Sequence, residues 1–267
     1  MTRTDGLPVR PVAPSPATRA TACGICNWTN SKRTAALGLA GTEPFFGSPD
    51  DKLLQWTEDQ RRALRKKGDE LGVEITSVCL GAFNGDPAVI QAEGREKAVA
   101  FIEKTLDFTR DVGASVMLLC TYLQSHPDTE EKKANLLEVV RRIEPYARDR
   151  GIRIGLETPL DATELKALAE AAESDHVGVY YDTGNAVSLG FDPVEEIHIL
   201  GSTMFAIHIK DSVDKLGALH MGDGYVDLAG CMQAIKEIGY DGWLMLETPG
   251  DDIEAVKRDI EAVRSYL

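Results

Sequence analysis

The hydrophobic and polar positions of the chain follow one repeating order. Charged, amphipathic stretches end at a glycine, and a short apolar run follows, as in "KKGDELG" before "VEITSVCL" and "DFTRDVG" before "ASVMLLC". A glycine that ends a helix and a β-branched run after it are the usual signals of a helix stop and a strand. Apolar positions in two of the amphipathic stretches repeat with the helical period: Val99, Ile102 and Leu106, then Leu136, Val139, Val140 and Ile143. The pattern therefore predicts helices and strands in alternation.

The apolar runs are continuous rather than alternating, which is typical of a parallel sheet covered on both faces. Eight of them are candidate strands: 22–28, 40–46, 73–82, 115–122, 152–157, 177–182, 203–209 and 242–247. Eight β/α units in one chain of this size predict a (β/α)8 TIM barrel, in which residues 22–267 form a single domain. The alternative is a doubly wound open sheet, but the first strand is followed by "CGICNWTNSK", which lacks its Gly-rich phosphate turn.

Charge and composition indicate which kinds of binding partner the protein is expected to lack. A formal net charge of −14 argues against nucleic acid, because phosphate backbones are bound by basic faces. Residues 1–21 contain no apolar stretch of signal-peptide length, and no later stretch reaches the roughly 18 apolar residues of a membrane helix. We interpret residues 1–21 as a flexible tail and expect a cytoplasmic protein without a membrane partner; a homo-oligomer is left open. The five cysteines, an odd number, are expected to be reduced and buried.

The last four apolar runs all end in side chains that bind metals. They are Glu157 in "IRIGLE", Asp182 in "VGVYYD", His208 in "MFAIH" and Glu247 in "WLMLE". Both glutamates lie in the same tetrapeptide, LETP. The C-terminal ends of barrel strands meet at one mouth, where the active sites of TIM barrels lie, so these four side chains are expected to converge. Three carboxylates and one imidazole suit Mn²⁺ first, or Mg²⁺ or Co²⁺, better than structural zinc.

Several segments together resemble the xylose-isomerase-like barrel family of sugar and sugar-phosphate isomerases and epimerases. They are "GIRIGLETP", "VGVYYDTGN", "FAIHIKD", "MGDGYVDL" and "GYDGWLMLETPG". The family includes ketose 3-epimerases and the L-ribulose or L-xylulose 5-phosphate 3-epimerases. The resemblance implies that Glu157, Asp182, His208 and Glu247 bind one divalent metal. It also implies that Glu157 and Glu247 act as the acid/base pair of an isomerase.

The chemistry explains why one metal and two glutamates would occur together. A metal that bridges the carbonyl and the neighbouring hydroxyl oxygen stabilises an enediolate, and one carboxylate on each face can remove and return the proton. Epimerisation and aldose–ketose isomerisation both use this route. The alternatives are an inosose-dehydratase-like lyase on the same site, a sugar-binding barrel without catalysis, and, least favoured, an apurinic endonuclease, which needs more histidine ligands than this chain offers.

Five further residues are candidates for contact with a small sugar or sugar phosphate. Asn185 replaces the His that free-sugar 3-epimerases carry three residues after the metal Asp, and it resembles the pentulose-phosphate enzymes. Lys210 and Lys215 either hold a phosphate or are solvated. Asn84 and Trp28 follow strands at the predicted mouth. The glycines of "MGDGYVD" either let that loop approach the substrate or form a turn before Asp227, a helix N-cap.

Overall fold

The fold is taken from a computed structural model that describes residues 22–23 and 31–267. The predicted tail at residues 1–21 and the candidate contact Trp28 lie outside the described residues. The strands of the described part are β1 Ala22–Cys23, β2 Gly41–Thr42, β3 Phe45–Phe46, β4 Glu74–Ile75, β5 Ser77–Leu80, β6 Val116–Cys120, β7 Arg153–Glu157, β8 Val177–Asp182, β9 Met204–Ile209, β10 Asp211–Val213, β11 Lys215–Leu219 and β12 Trp243–Leu246.

The α-helices lie between the strands and cover the outside of the sheet. They are α1 Ser31–Ala36, α2 Glu58–Leu71, α3 Arg95–Val112, α4 Glu130–Arg148, α5 Ala162–Glu170, α6 Thr183–Ser188, α7 Pro193–Leu200, α8 Leu228–Glu237 and α9 Ile253–Arg264. The faces predicted for α3 and α4 are buried, with Leu136, Val139, Val140 and Ile143 fully removed from solvent. Helical periodicity alone therefore identified the sides that pack on the sheet.

Left-handed glycines connect helices to strands where the sequence repeat predicted them. Gly72 ends α2 at φ +66° and Gly113 ends α3 at φ +81°. Residues with a Cβ rarely adopt this conformation, whereas glycine adopts it without steric cost. The chain can therefore turn from each helix directly into the next strand.

The parallel sheet closes on itself. Its order is β3-β5-β6-β7-β8-β9-β12-β1-β2-β4, and every pairing in it is parallel. Because β2 and β3 belong to one run of chain and pair with β4 and β5 of the next, the two ends of this order meet. Eight strand positions therefore surround one axis, and the predicted (β/α)8 barrel is confirmed.

Two of the eight predicted strands are not continuous. The run at 40–46 divides into β2 and β3 around Glu43 and Pro44, since proline has no N–H to give to the ladder. The run at 73–82 divides into β4 and β5 at Thr76. The structure also contains an antiparallel hairpin, β10 with β11, that the sequence did not predict.

Two smaller expectations concern buried thiols and the membrane. Cys79, Cys120 and Cys231 are free and buried, as predicted, whereas Cys26 and the side chain of Cys23 lie outside the described part of the chain. Across residues 31–267, no helix combines the length and the apolar character needed to cross a bilayer.

Candidate metal centre and active site

The strand ends bring three of the predicted metal ligands together. Glu157 is the last residue of β7 and Asp182 is the last residue of β8. His208 is the second-to-last residue of β9, which ends at Ile209. One ligand atom from each side chain lies within 4.8 Å of the others, and all three residues are buried. The parallel register pairs Asp182 with His208 directly, so their side chains leave neighbouring strands at the same height. Barrel topology thus accounts for the cluster.

Glu247, the fourth predicted ligand, follows β12 and meets the cluster from the far side of β9. Its Oε2 lies 3.3 Å from His208 Nδ1 and 3.3 Å from Lys210 Nζ. Its side chain is 15% exposed, against 3% for His208 and 1% for Asp182. Glu247 is therefore the ligand candidate nearest to solvent.

Two buried ligand atoms in the centre have no hydrogen-bond partner among the described residues, His208 Nδ1 and Asp182 Oδ2. They lie 3.7 Å apart. Lys210 Nζ lies 2.8 Å from the same Asp182 oxygen, but it approaches as an ion pair outside hydrogen-bond geometry. Ligand atoms around an octahedral Mg²⁺ are about 3.0 Å apart when adjacent and about 4.2 Å when opposite, from bonds of about 2.1 Å. The spacing of the two orphaned atoms lies between these values, so the residues fit a small divalent cation.

His208 is fixed by a residue that the sequence analysis missed. Glu43 is fully buried and its Oε1 lies 3.0 Å from His208 Nε2. Tyr180 donates to the other Glu43 oxygen at 2.8 Å, and Ser77 donates to that oxygen as well. A carboxylate on one ring nitrogen leaves the opposite nitrogen free to bind a metal, as is common for metal-bound histidines. The available signal was an acidic residue inside a predicted buried strand.

Charge shapes the protonation of the centre. Burial, together with the Asp182 carboxylate, raises the pKa of Glu157 to about 7. Burial also raises the pKa of Glu247, although the Lys210 ammonium opposes this. Burial disfavours the charged form of Asp182 as well, but Lys210 and His208 hold its pKa below the ordinary value. Glutamates with raised pKa values in a buried cluster have the properties of acid/base groups.

Lys210 is part of this centre. It is 4% exposed and lies between Asp182 and Glu247, so the interpretation of Lys210 as a solvated surface lysine is wrong. Burial opposes its charge, yet the neighbouring carboxylates, Asp182 first, raise the pKa of Lys210 above its ordinary value. Its stem lies against Gly184, where an added Cβ would meet Lys210 Cγ at 2.7 Å. A glycine in "DTGN" therefore makes room for this lysine.

The other candidate contacts have different environments. Asn185 donates to Glu157 Oε1 at 2.8 Å, so it orients a glutamate. Asn84 accepts the Tyr122 N–H at 2.8 Å and holds the chain that follows β6. Lys215 lies exposed at the start of β11 in the unpredicted hairpin. Trp28, as stated, is not in the described part of the chain.

The glycine loop after the hairpin has a structural explanation. The Asp211 carboxylate accepts the backbone N–H groups of Gly222, Gly224 and Val226. Asp227 then caps α8 by accepting the Gly230 N–H at 2.9 Å. Of the two interpretations offered for "MGDGYVD", the turn before a helix N-cap is thus confirmed.

Comparison with known proteins agrees with this fold. A family model described as a xylose isomerase-like TIM barrel matches residues 32–266. The chain is 25% identical over 261 residues to L-ribulose-5-phosphate 3-epimerase UlaE of Escherichia coli, covering 93% of this chain and 91% of the relative. Named 3-epimerases of this kind are isomerase-class enzymes, which confirms the enzyme class predicted from the sequence.

Solved structures show the same fold at lower identity. D-psicose 3-epimerase with D-tagatose from Clostridium cellulolyticum H10 superposes with a TM-score of 0.73 at 17% identity, covering 92% of this chain and 94% of that one. A xylose isomerase-like TIM barrel protein from Mycobacterium smegmatis in complex with magnesium gives 0.71 at 19% identity, with coverage of 94% and 97%. These likenesses support the barrel architecture.

Proposed function

Because the chain belongs to the xylose isomerase-like TIM barrel family as a sugar epimerase or isomerase, we propose that it is a divalent-cation-dependent ketose 3-epimerase. The observation that carries the proposal is the pair of glutamates beside Asp182 and His208, Glu157 buried and Glu247 partly exposed. Burial raises the pKa of both Glu157 and Glu247, and each lies at the end of a different strand. Binding a sugar requires no such pair, whereas moving a proton between two faces of a carbon does.

The cation would be held by Glu157, Asp182, His208 Nδ1 and Glu247. When bound, it would supply Lewis-acid stabilisation of the negative charge that develops on two adjacent substrate oxygens. Manganese is the first choice for assay, with magnesium and cobalt next, because oxygen ligands with one imidazole suit all three.

The chain's own residues perform the proton steps. One of Glu157 and Glu247 removes the proton from the carbon beside the ketone, and the other returns a proton to the opposite face. The Asn185 amide donates to Glu157 Oε1 and fixes the direction of that carboxylate. Lys210 pairs with Glu247 and Asp182, so it limits the repulsion between carboxylates when both are ionised. Tight placement of these groups is what makes the proton transfer efficient.

The substrate class is a ketose, and a pentulose 5-phosphate is the first to assay. The name of the Escherichia coli relative gives L-ribulose 5-phosphate as the substrate of that protein. Asn185 after the metal Asp resembles the phosphate-using enzymes. Of the two candidate phosphate ligands, Lys210 is ion-paired in the centre, and Lys215 is exposed on the hairpin that follows Lys210. Lys215 is therefore the lysine that would reach a phosphate.

The test is exchange of a substrate carbon hydrogen in D₂O with Mn²⁺, across ketoses with and without phosphate. Glu157→Gln and Glu247→Gln are each expected to lower turnover by at least about 100-fold, the usual scale for a positioned acid or base. Glu130→Gln is the matched control, since that glutamate is 91% exposed on α4. Product analysis separates epimerisation from dehydration. Absence of exchange with every ketose would instead favour a sugar-binding barrel.

A further inference from the structure

A buried aspartate on the last helix contacts two loops at the barrel mouth. Asp259 lies on α9 and is 2% exposed. Its Oδ1 accepts the Met221 N–H at 2.9 Å, and its Oδ2 accepts from His220 Nδ1 at 2.7 Å. The Thr248 hydroxyl donates to the same Oδ2. One carboxylate thus receives three donors from two separate segments of chain.

One segment carries Glu247 of the candidate active site, and the other is bound to Asp211, which directly follows Lys210. Thr248 directly follows Glu247 in the second LETP tetrapeptide. Met221 precedes Gly222, whose N–H is bound by Asp211, so this loop is held from two sides. Asp259 therefore connects the segment after Glu247 to the loop at His220 and Met221 by hydrogen bonds.

Packing of α9 does not by itself explain a carboxylate at this position. The neighbours of Asp259 on the buried face are apolar: Ala255, Val256, Ile260 and Val263. A carboxylate is more costly to bury among such residues than a leucine, unless it is fully hydrogen-bonded. The three donors therefore give the reason for an aspartate here.

The two LETP copies differ at this threonine. Among the described residues, Thr158 Oγ1 in the first copy is buried without a hydrogen-bond partner, whereas Thr248 donates to Asp259. Glu157 lies within β7, and its backbone accepts the Thr121 N–H. Glu247 lies beyond the end of β12, and its backbone N–H donates to Ile209 O at 3.0 Å. Glu247 thus lies just beyond the end of its strand. The hydrogen bond from Thr248 to Asp259 holds the chain there in place of strand pairing.

We propose that Asp259 is a positioning residue that sets the direction of the Glu247 carboxylate through Thr248. The inference rests on the proposed function, in which Glu247 transfers a proton. Released from Asp259, the segment after β12 gains freedom, and Glu247 spends less time in the productive orientation. The proton-transfer step then slows, while groups that only bind the sugar are unaffected.

The experiment compares Asp259→Asn, Thr248→Val and Thr248→Ser with wild type. The control is Asp252→Asn, the same change of carboxylate to amide at the N-cap of the same helix, where the side chain accepts the Glu254 and Ala255 N–H groups. Asp259→Asn and Thr248→Val are expected to lower kcat by about tenfold to 100-fold with KM changed less than about threefold. Thr248→Ser keeps the hydroxyl and restores most of that loss. Asp252→Asn keeps an N-cap, since asparagine caps a helix about as well as aspartate, and leaves kcat unchanged.

Hydrogen exchange at the Met221 amide gives a readout that does not depend on turnover, since this N–H is bound by Asp259. It is expected to exchange faster in Asp259→Asn than in Asp252→Asn. Equal kcat in Asp259→Asn and Asp252→Asn, or full activity of Thr248→Val, would overturn the inference while leaving the epimerase function in place. If Asp259→Asn does not fold, the two Thr248 variants decide. If wild type converts no ketose, the proposed function fails, and unchanged Met221 exchange would overturn the positioning role as well.

Discussion

The substitution Glu43→Gln tests whether the residue behind His208 prepares the metal centre. Glu43 is fully buried and its carboxylate faces three groups that can donate, His208 Nε2, Tyr180 OH and Ser77 Oγ. An amide of the same shape has one oxygen and one NH₂ group. The NH₂ must therefore face a donor, or the imidazole must change its tautomer and place the proton on Nδ1, the nitrogen that would bind the cation.

The expected size of the effect follows from the charge of Glu43. A hydrogen bond to an ionised group contributes about 1.5 to 3 kcal/mol. Loss of an outer partner of a metal ligand typically weakens metal binding about 10-fold to 100-fold, or about 1.4 to 2.8 kcal/mol. The hydrogen-bond energy and the affinity loss are of similar size, and both describe removal of the contact between Glu43 and His208. We expect Mn²⁺ affinity to fall within this range.

The assay is calorimetric titration of Mn²⁺ into wild type and Glu43→Gln, with circular dichroism to verify folding. Tyr180→Phe is the matched control, because it removes one neutral donor from Glu43 and leaves the contact with His208. Its effect on affinity should stay below about threefold, because the Glu43–His208 contact and the Tyr180 ring beside His208 are both kept. A folded Glu43→Gln protein that binds Mn²⁺ within twofold of wild type would refute the role given to Glu43.

Three further predictions concern the same centre. Asp182→Ala and His208→Ala should each abolish stoichiometric metal in elemental analysis, and full retention in both would contradict the ligand assignment. Because burial and Asp182 raise the pKa of Glu157 to about 7, Mn²⁺ must displace a proton below that pH. Affinity should therefore fall by up to about tenfold per unit from pH 7 to 6, and a flat titration profile would count against this. Lys210→Met should lower the free energy of unfolding without metal by about 3 to 5 kcal/mol, as for a broken buried pair. Lys215→Met, on the exposed hairpin, should change it by under about 0.5 kcal/mol, and equal losses in urea unfolding would disprove the distinction.

The barrel was predictable because each of its units repeats a local signal. A helix end at a left-handed glycine and a fully apolar run require no knowledge of distant residues, and Gly72 and Gly113 adopt the predicted conformation. The breaks in the second and third strands were less visible. Pro44 is a sequence signal against a continuous strand at 40–46. The division at Thr76 instead follows from pairing, because β4 pairs with β2 and β5 pairs with β3. The hairpin at 211–219 has no strong turn signal in "VDK" and was missed.

The site was predictable only as far as strand ends determine it. The rule that barrel sites lie where strands end selected Glu157, Asp182, His208 and Glu247, and the structure brings these four side chains into one region. Residues that contact the site from other elements of the barrel are not identified by a position at a strand end. Glu43 meets His208 across 165 positions of sequence, and Lys210 owes its burial to a glycine on another element. Such contacts depend on register and on the shape of neighbouring elements, which a single sequence does not display.

Charge explains why the centre needs both a cation and glutamates with raised pKa values. The carboxylates of Glu43, Glu157, Asp182 and Glu247 share a buried region, and within residues 32–267 the only lysine or arginine that forms an ion pair with them is Lys210. Four carboxylates against the Lys210 ammonium and a protonated His208 still leave an excess of negative charge that a low-dielectric site does not tolerate. It is relieved by protons on the glutamates or by a divalent cation. The groups that would bind the cation are thus the groups whose basicity is raised, so under the proposed function the two LETP glutamates combine ligation and proton transfer.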